Sequence, residues 1–386
     1  MTPIHYIVMF QAFNQATFTG ARFLVAVYAV HLAASPFVVG LMVALFSLTP
    51  TFLTIPSGKL IDRAGTRVLL QVCHVLMCVT LLVPFFWPRM ELLYAVASVI
   101  GAGFFAVYVG ASTFASHHSA PGERAENFSR MSVGVATGQG LSPLILGFSA
   151  DYLGYAATFA VAALFPLLCW ATFAFGRLEH LGPQKKAVEP QAKQSTLDLL
   201  RDPKMRPVFF ISTLFILSWD IFLVMTPIYG AQLGLSASHI GLLMGAFAVA
   251  SFVVRFFGGW LSRRYTPWQL LLGALVVQAA GTIVFGLVAS MPLLMVSSFV
   301  VGLGYGLCGP MSNTAIYEVA PPARASEAMG LRLSLGMAAQ TVFPLIVGSV
   351  GSLLAAGPIY WASGIMLLAG AAMERRHWRR ENPKEG

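Results

Sequence analysis

Arg22 stands inside an almost entirely apolar stretch, QATFTGARFLVAVYAV, which runs from Gln15 to Val30. An arginine at the centre of a membrane span costs about 2.5–3.5 kcal/mol on insertion scales, so it faces protein or water rather than lipid. Helical spacing places four polar side chains on one face of such a helix, namely Gln11, Gln15, Thr19 and Arg22. This polar stripe predicts a surface that binds a polar or anionic small molecule.

Asp220 is a second charged residue near the middle of an apolar stretch, STLFILSWDIFLVMTP. An internal repeat aligns Asp220 with Thr19, one helical turn from Arg22. Burial favours the protonated form of a carboxyl group, whereas a neighbouring arginine favours the carboxylate. We therefore predict that Asp220 takes up a proton when an anionic ligand occupies Arg22. The alternative is a static ion pair that only holds the two halves of the chain in register.

Arg255 is a third charged residue in an apolar stretch, and the repeat aligns it with Thr54. From this depth its long side chain either reaches the cytoplasmic surface or faces the interior, and the sequence leaves both possibilities open. If it faces the interior, Arg22 and Arg255 together clamp an anion, because the planar guanidinium binds a carboxylate through two parallel hydrogen bonds. Weaker binding candidates at other interior positions are Tyr108, Gln139, Trp219, Asn313 and Gln340.

The elements that position these residues follow from composition. Of the 386 residues, 57% are hydrophobic and 10% are charged, whereas soluble domains contain roughly 25% charged residues. This composition argues against a soluble enzyme. Twelve continuously apolar stretches predict transmembrane helices, because a span needs about 20 residues, whereas membrane β-strands alternate in polarity over about ten. The stretches lie near 4–31, 38–59, 68–87, 91–114, 129–150, 155–176, 207–230, 238–259, 268–289, 292–316, 331–352 and 356–373.

Lysine and arginine are concentrated in alternate loops. If the N-terminus is cytoplasmic, nearly all of the 24 basic residues lie in cytoplasmic loops or the tail, including Arg324 and Arg332 in the turn after the tenth span. Basic residues favour the cytoplasmic side. The net charge of +9 therefore reflects membrane topology rather than a nucleic-acid surface. We expect a cell (inner) membrane protein with both termini in the cytoplasm and no cleavable signal peptide.

A polar segment, 177–206, divides the chain into an N-terminal six-helix bundle, 1–176, and a C-terminal one, 207–373, followed by a basic cytoplasmic tail, 374–386. The segment contains GPQKKAVEPQAKQS and is expected to be a cytoplasmic linker. The halves share sequence, since SPFVVGLMVALF (35–46) aligns with SASHIGLLMGAF (236–247) and Gln139 falls on Gln340. Parallel six-helix halves are one of the repeat architectures found in transporters.

The loop GKLIDRAGTR resembles the signature loop of the major facilitator superfamily and has the position that this family gives it, between the second and third spans. The residues that match are Gly58, Asp62, Arg63, Gly65 and Arg67. Thr66 departs from the usual basic residue, and a degraded second copy, GGWLSRRYT, keeps Arg264. The resemblance implies the all-α fold of that family, with two pseudo-symmetric bundles of six helices. It also implies a gating role for this loop and for Arg264, with a plain basic turn as the alternative.

The resemblance implies a secondary active transporter that works by alternating access. The fifth span, GVATGQGLSPLILG, partly resembles the family's antiporter motif, although close helix packing explains its small residues equally well. The chain has no ATP-binding P-loop, which leaves an ion gradient, exchange or no coupling at all, and of these we expect a proton or a counter-substrate. We also expect no enzymatic activity, no cofactor or metal, no nucleic-acid partner, contact with membrane lipid and a monomer.

The favoured substrate is a small organic anion or another polar metabolite, carried together with protons. One alternative is a proton-coupled exporter of amphipathic drugs, because the 29 Phe and 16 Met residues suit a promiscuous site. The second alternative is a membrane receptor that transports nothing.

Overall fold

A computed structural model describes the backbone of residues 3–64, 66–117, 124–175, 197–321, 324–353 and 356–381. It describes side chains in 8–50, 67–108, 133–172, 198–321, 324, 327–351 and 356–373. Within these ranges the chain forms α-helices joined by short turns and no β-strand. The helices are α1 (Pro3–His31), α2 (Pro36–Ala64), α3 (Thr66–Phe86), α4 (Glu91–His117), α5 (Arg124–Leu153), α6 (Tyr155–Phe175), α7 (Leu197–Arg201), α8 (Met205–Gln232), α9 (Ala237–Leu261), α10 (Pro267–Leu287), α11 (Met291–Val319), α12 (Ala325–Leu353) and α13 (Ala356–Glu381).

Helix length and apolar composition fit a multi-pass membrane protein. Ten helices of the described part are long and apolar enough to cross a bilayer, and Pro36–Pro50 is a shorter apolar helical segment. In a bilayer the backbone N–H and C=O groups must bond within the segment, which a helix achieves. The predicted all-α polytopic fold is therefore confirmed.

Glycines with positive φ make two of the turns possible. Gly154 (φ 81°) separates α5 from α6, and Gly234 (φ 70°) separates α8 from α9. L-residues rarely adopt this left-handed conformation, whereas glycine adopts it without steric strain. Both turns let consecutive long helices reverse direction within a few residues.

The chain forms two compact units. The first unit comprises Met1–Val188 together with Gly230–Gly245, and the second comprises Glu189–Tyr229 together with Ala246–Gly386. The start of α9 therefore belongs to the first unit, although it lies in the second half of the sequence.

In the first unit, α1 packs against α4, α5 and α6. α5 lies so close to α1 that a side chain on Gly134 or Gly138 would overlap the backbone carbonyls of Val8 and Ala12. At these two positions the small residues of the fifth span therefore serve close packing.

The second unit is built around α10, which packs against α11 and α13. Its buried side chains include Leu271 from α10, Cys308 from α11 and Leu367 from α13. α10 begins at a capping box, in which Thr266 Oγ1 accepts from Gln269 N (3.3 Å) and Gln269 Oε1 accepts from Thr266 N (3.1 Å). The box satisfies two backbone donors at the helix start.

The short helix α7 lies inside the segment 177–206 that sequence analysis treats as a linker. Its Leu199 is 2% exposed and packs in a buried cluster with Met205 and Ile316. Arg206 Nε also donates to Leu200 O at 3.0 Å. The described end of this segment is therefore part of the second unit's core.

Candidate functional site

The polar face of α1 is buried. Arg22 is 2% exposed, and Gln11 and Thr19 are equally well covered. Half-buried Gln15 donates from Nε2 to Thr19 Oγ1 at 2.9 Å. The residues of the predicted stripe thus lie inside the first unit and not against lipid.

Asn14 adds to this face and was missed by sequence analysis. It is 1% exposed, and neither of its side-chain polar atoms hydrogen-bonds to a described residue. The same holds for Gln11 Oε1, three residues earlier. The helical spacing between Gln11 and Asn14 was a signal that could have found it. Leaving a buried polar group without a partner costs about 1–3 kcal/mol, so this arrangement is suited to meeting water or a polar ligand.

Aromatic side chains border the polar face. The guanidinium carbon of Arg22 lies 5.6 Å from the centre of the Phe18 ring. Phe18 stacks on Phe104 of α4 at 4.1 Å, and Phe104 in turn stacks on Tyr108 at 6.2 Å. Tyr108 is 44% exposed, and Gln139 of α5 is half-buried. Both come from helices that pack against α1.

The second unit holds a group of aromatic side chains around Tyr305. Trp219 stacks on Tyr305 at 4.9 Å and on Phe247 at 4.6 Å. Phe215 meets Tyr305 edge-on at 5.8 Å. Trp219, a predicted substrate contact, is 7% exposed within this stack, so ring packing accounts for most of its surface.

Three charged side chains lie close enough to Tyr305 to act on it electrostatically, namely Asp220, Arg255 and Arg332. Asp220 is 1% exposed in the middle of α8. Arg255 is half-buried and donates from Nε to Gly306 O of α11 at 3.4 Å. This contact joins the Arg255 side chain to the backbone of α11.

The predicted position of Arg332, in the turn after the tenth span, was wrong. It lies inside α12, is 8% exposed and donates from Nε to Ser312 Oγ at 3.0 Å. α12 begins before the apolar stretch, because its first turn carries Glu327, whose carboxylate pairs with Arg324 Nε at 2.7 Å. Arg332 is therefore two turns into the helix. Its distance from the helix start could not be judged from hydropathy.

The remaining predicted positions are dispersed. Asn313 is exposed on α11 and Gln340 is half-buried on α12. Arg67 is half-buried in the first turn of α3. Arg264 is exposed, with its guanidinium carbon 4.4 Å from the centre of the Trp260 ring. The other predicted gating residues lie outside the described side chains, namely Gly58, Asp62, Arg63 and Gly65.

A match to a protein-family model identifies the family to which the chain belongs. The family model described as Major Facilitator Superfamily matches residues 7–344 and 208–386. The chain belongs to the major facilitator superfamily. The sequence-based resemblance is thereby confirmed, and the chain is a multi-pass membrane transporter of this type.

Two curated relatives match parts of the chain. One is the probable sulfoacetate transporter SauU of Cupriavidus necator, 27% identical over 124 residues that make up 32% of this chain and 29% of that protein. The other is the quinolone resistance protein NorA of Staphylococcus aureus, 25% identical over 165 residues, 40% of this chain and 42% of that protein. The aligned parts span less than half of either relative.

Solved structures match over almost the full length. A POT family transporter in complex with a thioalcohol-conjugated peptide superposes with a TM-score of 0.78, 15% identity and coverage of 98% of this chain and 96% of that one. The D323A mutant of the nucleoside transporter NupG superposes with a TM-score of 0.75, 14% identity and coverage of 96% and 97%. At such low identity these likenesses establish the fold alone.

Proposed function

We propose that this transporter carries a small organic anion together with protons by alternating access. The observation that carries the proposal is the buried polar face of α1. There Arg22 supplies a positive charge, and Gln11 and Asn14 keep polar atoms without a described partner. A substrate that offers a carboxylate or sulfonate to the arginine and hydrogen-bonding groups to the amides would satisfy this surface.

The balance of buried charge favours an anion over a cation. Among the fully buried charged side chains of the described residues, the first unit holds Arg22, and the second holds Arg332 and Asp220. Half-buried Arg255 adds a positive charge to the second unit. In the first unit the buried positive charge of Arg22 attracts an anion and repels a cation.

Asp220 is the proposed proton carrier. It is a buried carboxyl group in the middle of α8, and a carboxyl group can bind or release a proton when the charge near it changes. In this proposal an anion that occupies Arg22 promotes proton uptake at Asp220, which couples the two fluxes. A static structural role for Asp220 remains the competing account.

The relatives support two substrate classes. SauU is named for sulfoacetate, a small compound with a carboxylate and a sulfonate, either of which suits a guanidinium such as that of Arg22. NorA is named for quinolone resistance. The exposed ring of Tyr108, which stacks on Phe104, favours an amphipathic aromatic substrate, so quinolone export is the second candidate.

Topology is proposed from the basic residues. Lys204, Arg206, Arg263, Arg264 and Arg324 all lie at the same alternate helix ends as the predicted cytoplasmic loops. Because basic residues favour the cytoplasm, we place both termini on the cytoplasmic side of a cell (inner) membrane. The protein then acts as a monomer in contact with membrane lipid.

A thermal-shift panel on purified full-length protein tests the substrate class. A ligand at about 100 times its Kd stabilises the folded state by about 2.7 kcal/mol. We expect sulfoacetate to raise the Tm of the wild type and of the surface control Arg89→Gln, whose side chain is exposed, but not that of Arg22→Gln. Stabilisation by norfloxacin that survives Arg22→Gln, with none by sulfoacetate, would favour the quinolone exporter instead.

A further inference from the structure

Asp151, in the last turn of α5, contacts the first turn of α9. Its Oδ1 accepts a hydrogen bond from Ala237 N at 3.1 Å, and its Oδ2 accepts one from Ser238 N at 2.9 Å. All three residues belong to the first unit. The two carboxylate oxygens therefore each hold one backbone amide of a helix that starts 86 residues later in the chain.

These amides need an acceptor from outside their own helix. The first N–H groups of a helix have no intrahelical partner. Ser236, just before α9, accepts at Oγ from His239 N at 3.4 Å, which leaves the amides of Ala237 and Ser238. Asp151 completes the cap, and its negative charge is favoured at the positive end of the helix dipole. The start of α9 thus depends on a side chain from α5.

Close backbone contact accompanies the hydrogen bonds. A Cβ on Gly147 would lie 2.6 Å from Ala237 O, and a Cβ on Gly241 would lie 2.6 Å from Pro143 O. Larger residues at either position would force the helices apart, so both glycines are required for this approach. α5 and α9 touch from Pro143 to Asp151.

The contact is built so that it can open. Asp151 is exposed, so water can take over its hydrogen bonds when the helices separate and no bare charge is left buried.

We propose that Asp151 is a gating residue, and that its bonds to α9 form when the outer side of the transporter is closed and break when it opens. α5 comes from the first half of the sequence and α9 from the second, and alternating access separates the halves on one side at a time. In the proposed topology this contact lies on the external side, opposite the loop Gly58–Arg67. The inference rests on the proposed transport function.

We call the contact of Asp151 with Ala237 and Ser238 the latch. Distance measurements on the full chain in lipid nanodiscs test this latch without a substrate. Nitroxide labels replace the exposed residues Tyr152 and His239, with Cys73 and Cys78 changed to serine. In double electron–electron resonance we expect a dominant short distance in the wild type. Asp151→Asn should raise the ratio of long to short distances about tenfold, since bonds to a charged group are the strong ones.

Two further variants serve as the negative and the positive control of this distance measurement. Glu91→Gln removes an exposed carboxylate from the start of α4, on the same proposed side, and should leave the distances unchanged. Gly241→Leu forces the helices apart and should lengthen them as Asp151→Asn does. An unchanged distribution in Asp151→Asn, or an equal shift in Glu91→Gln, would overturn the proposal.

Cross-linking separates a latch from a permanent cap. Cysteines at 152 and 239 are joined by a reducible bifunctional reagent in proteoliposomes, and sulfoacetate counterflow is measured. A latch predicts that flux stops on cross-linking and returns on reduction, whereas flux that persists would overturn it. Absence of sulfoacetate flux in the untreated protein would instead contradict the proposed substrate, and the distance measurements would then decide the latch alone.

Discussion

At the scale of single residues, the informative feature is polar side chains that the fold buries without satisfying them. Gln11 and Asn14, three residues apart on α1, are each at most 2% exposed and have side-chain polar atoms without a described partner. Residues selected only for stability would be apolar there, because burying polar groups without partners destabilises the fold. Their presence is explained if the substrate completes their interactions during transport.

The variant Asn14→Leu tests whether Asn14 contributes to substrate binding at a cost in stability. Replacing a buried, unsatisfied polar side chain by an apolar one of similar size is close to neutral or stabilising, so we expect an unchanged or higher Tm. Sulfoacetate binding should weaken at least tenfold in isothermal titration calorimetry. Ser298→Ala, which removes another unsatisfied buried group in α11, should leave binding unchanged. Loss of binding in both variants would contradict a specific role for α1.

Arg22→Lys tests the geometry of the charge. Lysine keeps the positive charge but is a point charge without the planar fork that binds an anion through two hydrogen bonds. We expect sulfoacetate affinity intermediate between wild type and Arg22→Gln, whose loss should be about 2 kcal/mol or more. Equal affinities for all three proteins would show that Arg22 does not touch the substrate.

At the scale of helices, close approach is set by glycine. Gly138 lies where any side chain would overlap Ala12 O, whereas a Cβ on Gly273 in α10 meets nothing within 4 Å. The close approach of α1 to α5 at Ala12 therefore requires glycine at position 138, whereas the packing of α10 does not require glycine at position 273.

Gly138→Val and Gly273→Ala should consequently have opposite effects on the stability of the protein. The first forces α1 and α5 apart and should lower the Tm strongly, together with sulfoacetate binding. The second replaces glycine by the best helix former in open space and should stabilise by about 0.5–1 kcal/mol. Thermal unfolding in detergent measures both. A stable, binding-competent Gly138→Val protein would contradict the described packing of α1 on α5.

At the scale of the whole molecule, much of the architecture was predictable and the cross-chain contacts were not. Each span is apolar for about 20 residues, so hydropathy predicts the helices directly. Arg22 and Asp220 stood out because a charge in an apolar run is conspicuous. Arg332 was missed because it follows a polar turn, and hydropathy does not reveal that α12 begins earlier. Asp151 was missed because its partners are distant in sequence and are backbone amides, which no residue type marks.

For the whole molecule, the proposal is that anion binding at Arg22 and proton uptake at Asp220 are coupled. The most direct test is sulfoacetate uptake into proteoliposomes of the full-length protein, with and without an inward proton gradient. We predict that the gradient drives accumulation by the wild type. Asp220→Asn should lose this accumulation but keep counterflow exchange, and Arg22→Gln should lose both. Gradient-driven accumulation by Asp220→Asn, or no sulfoacetate exchange by the wild type, would contradict the account.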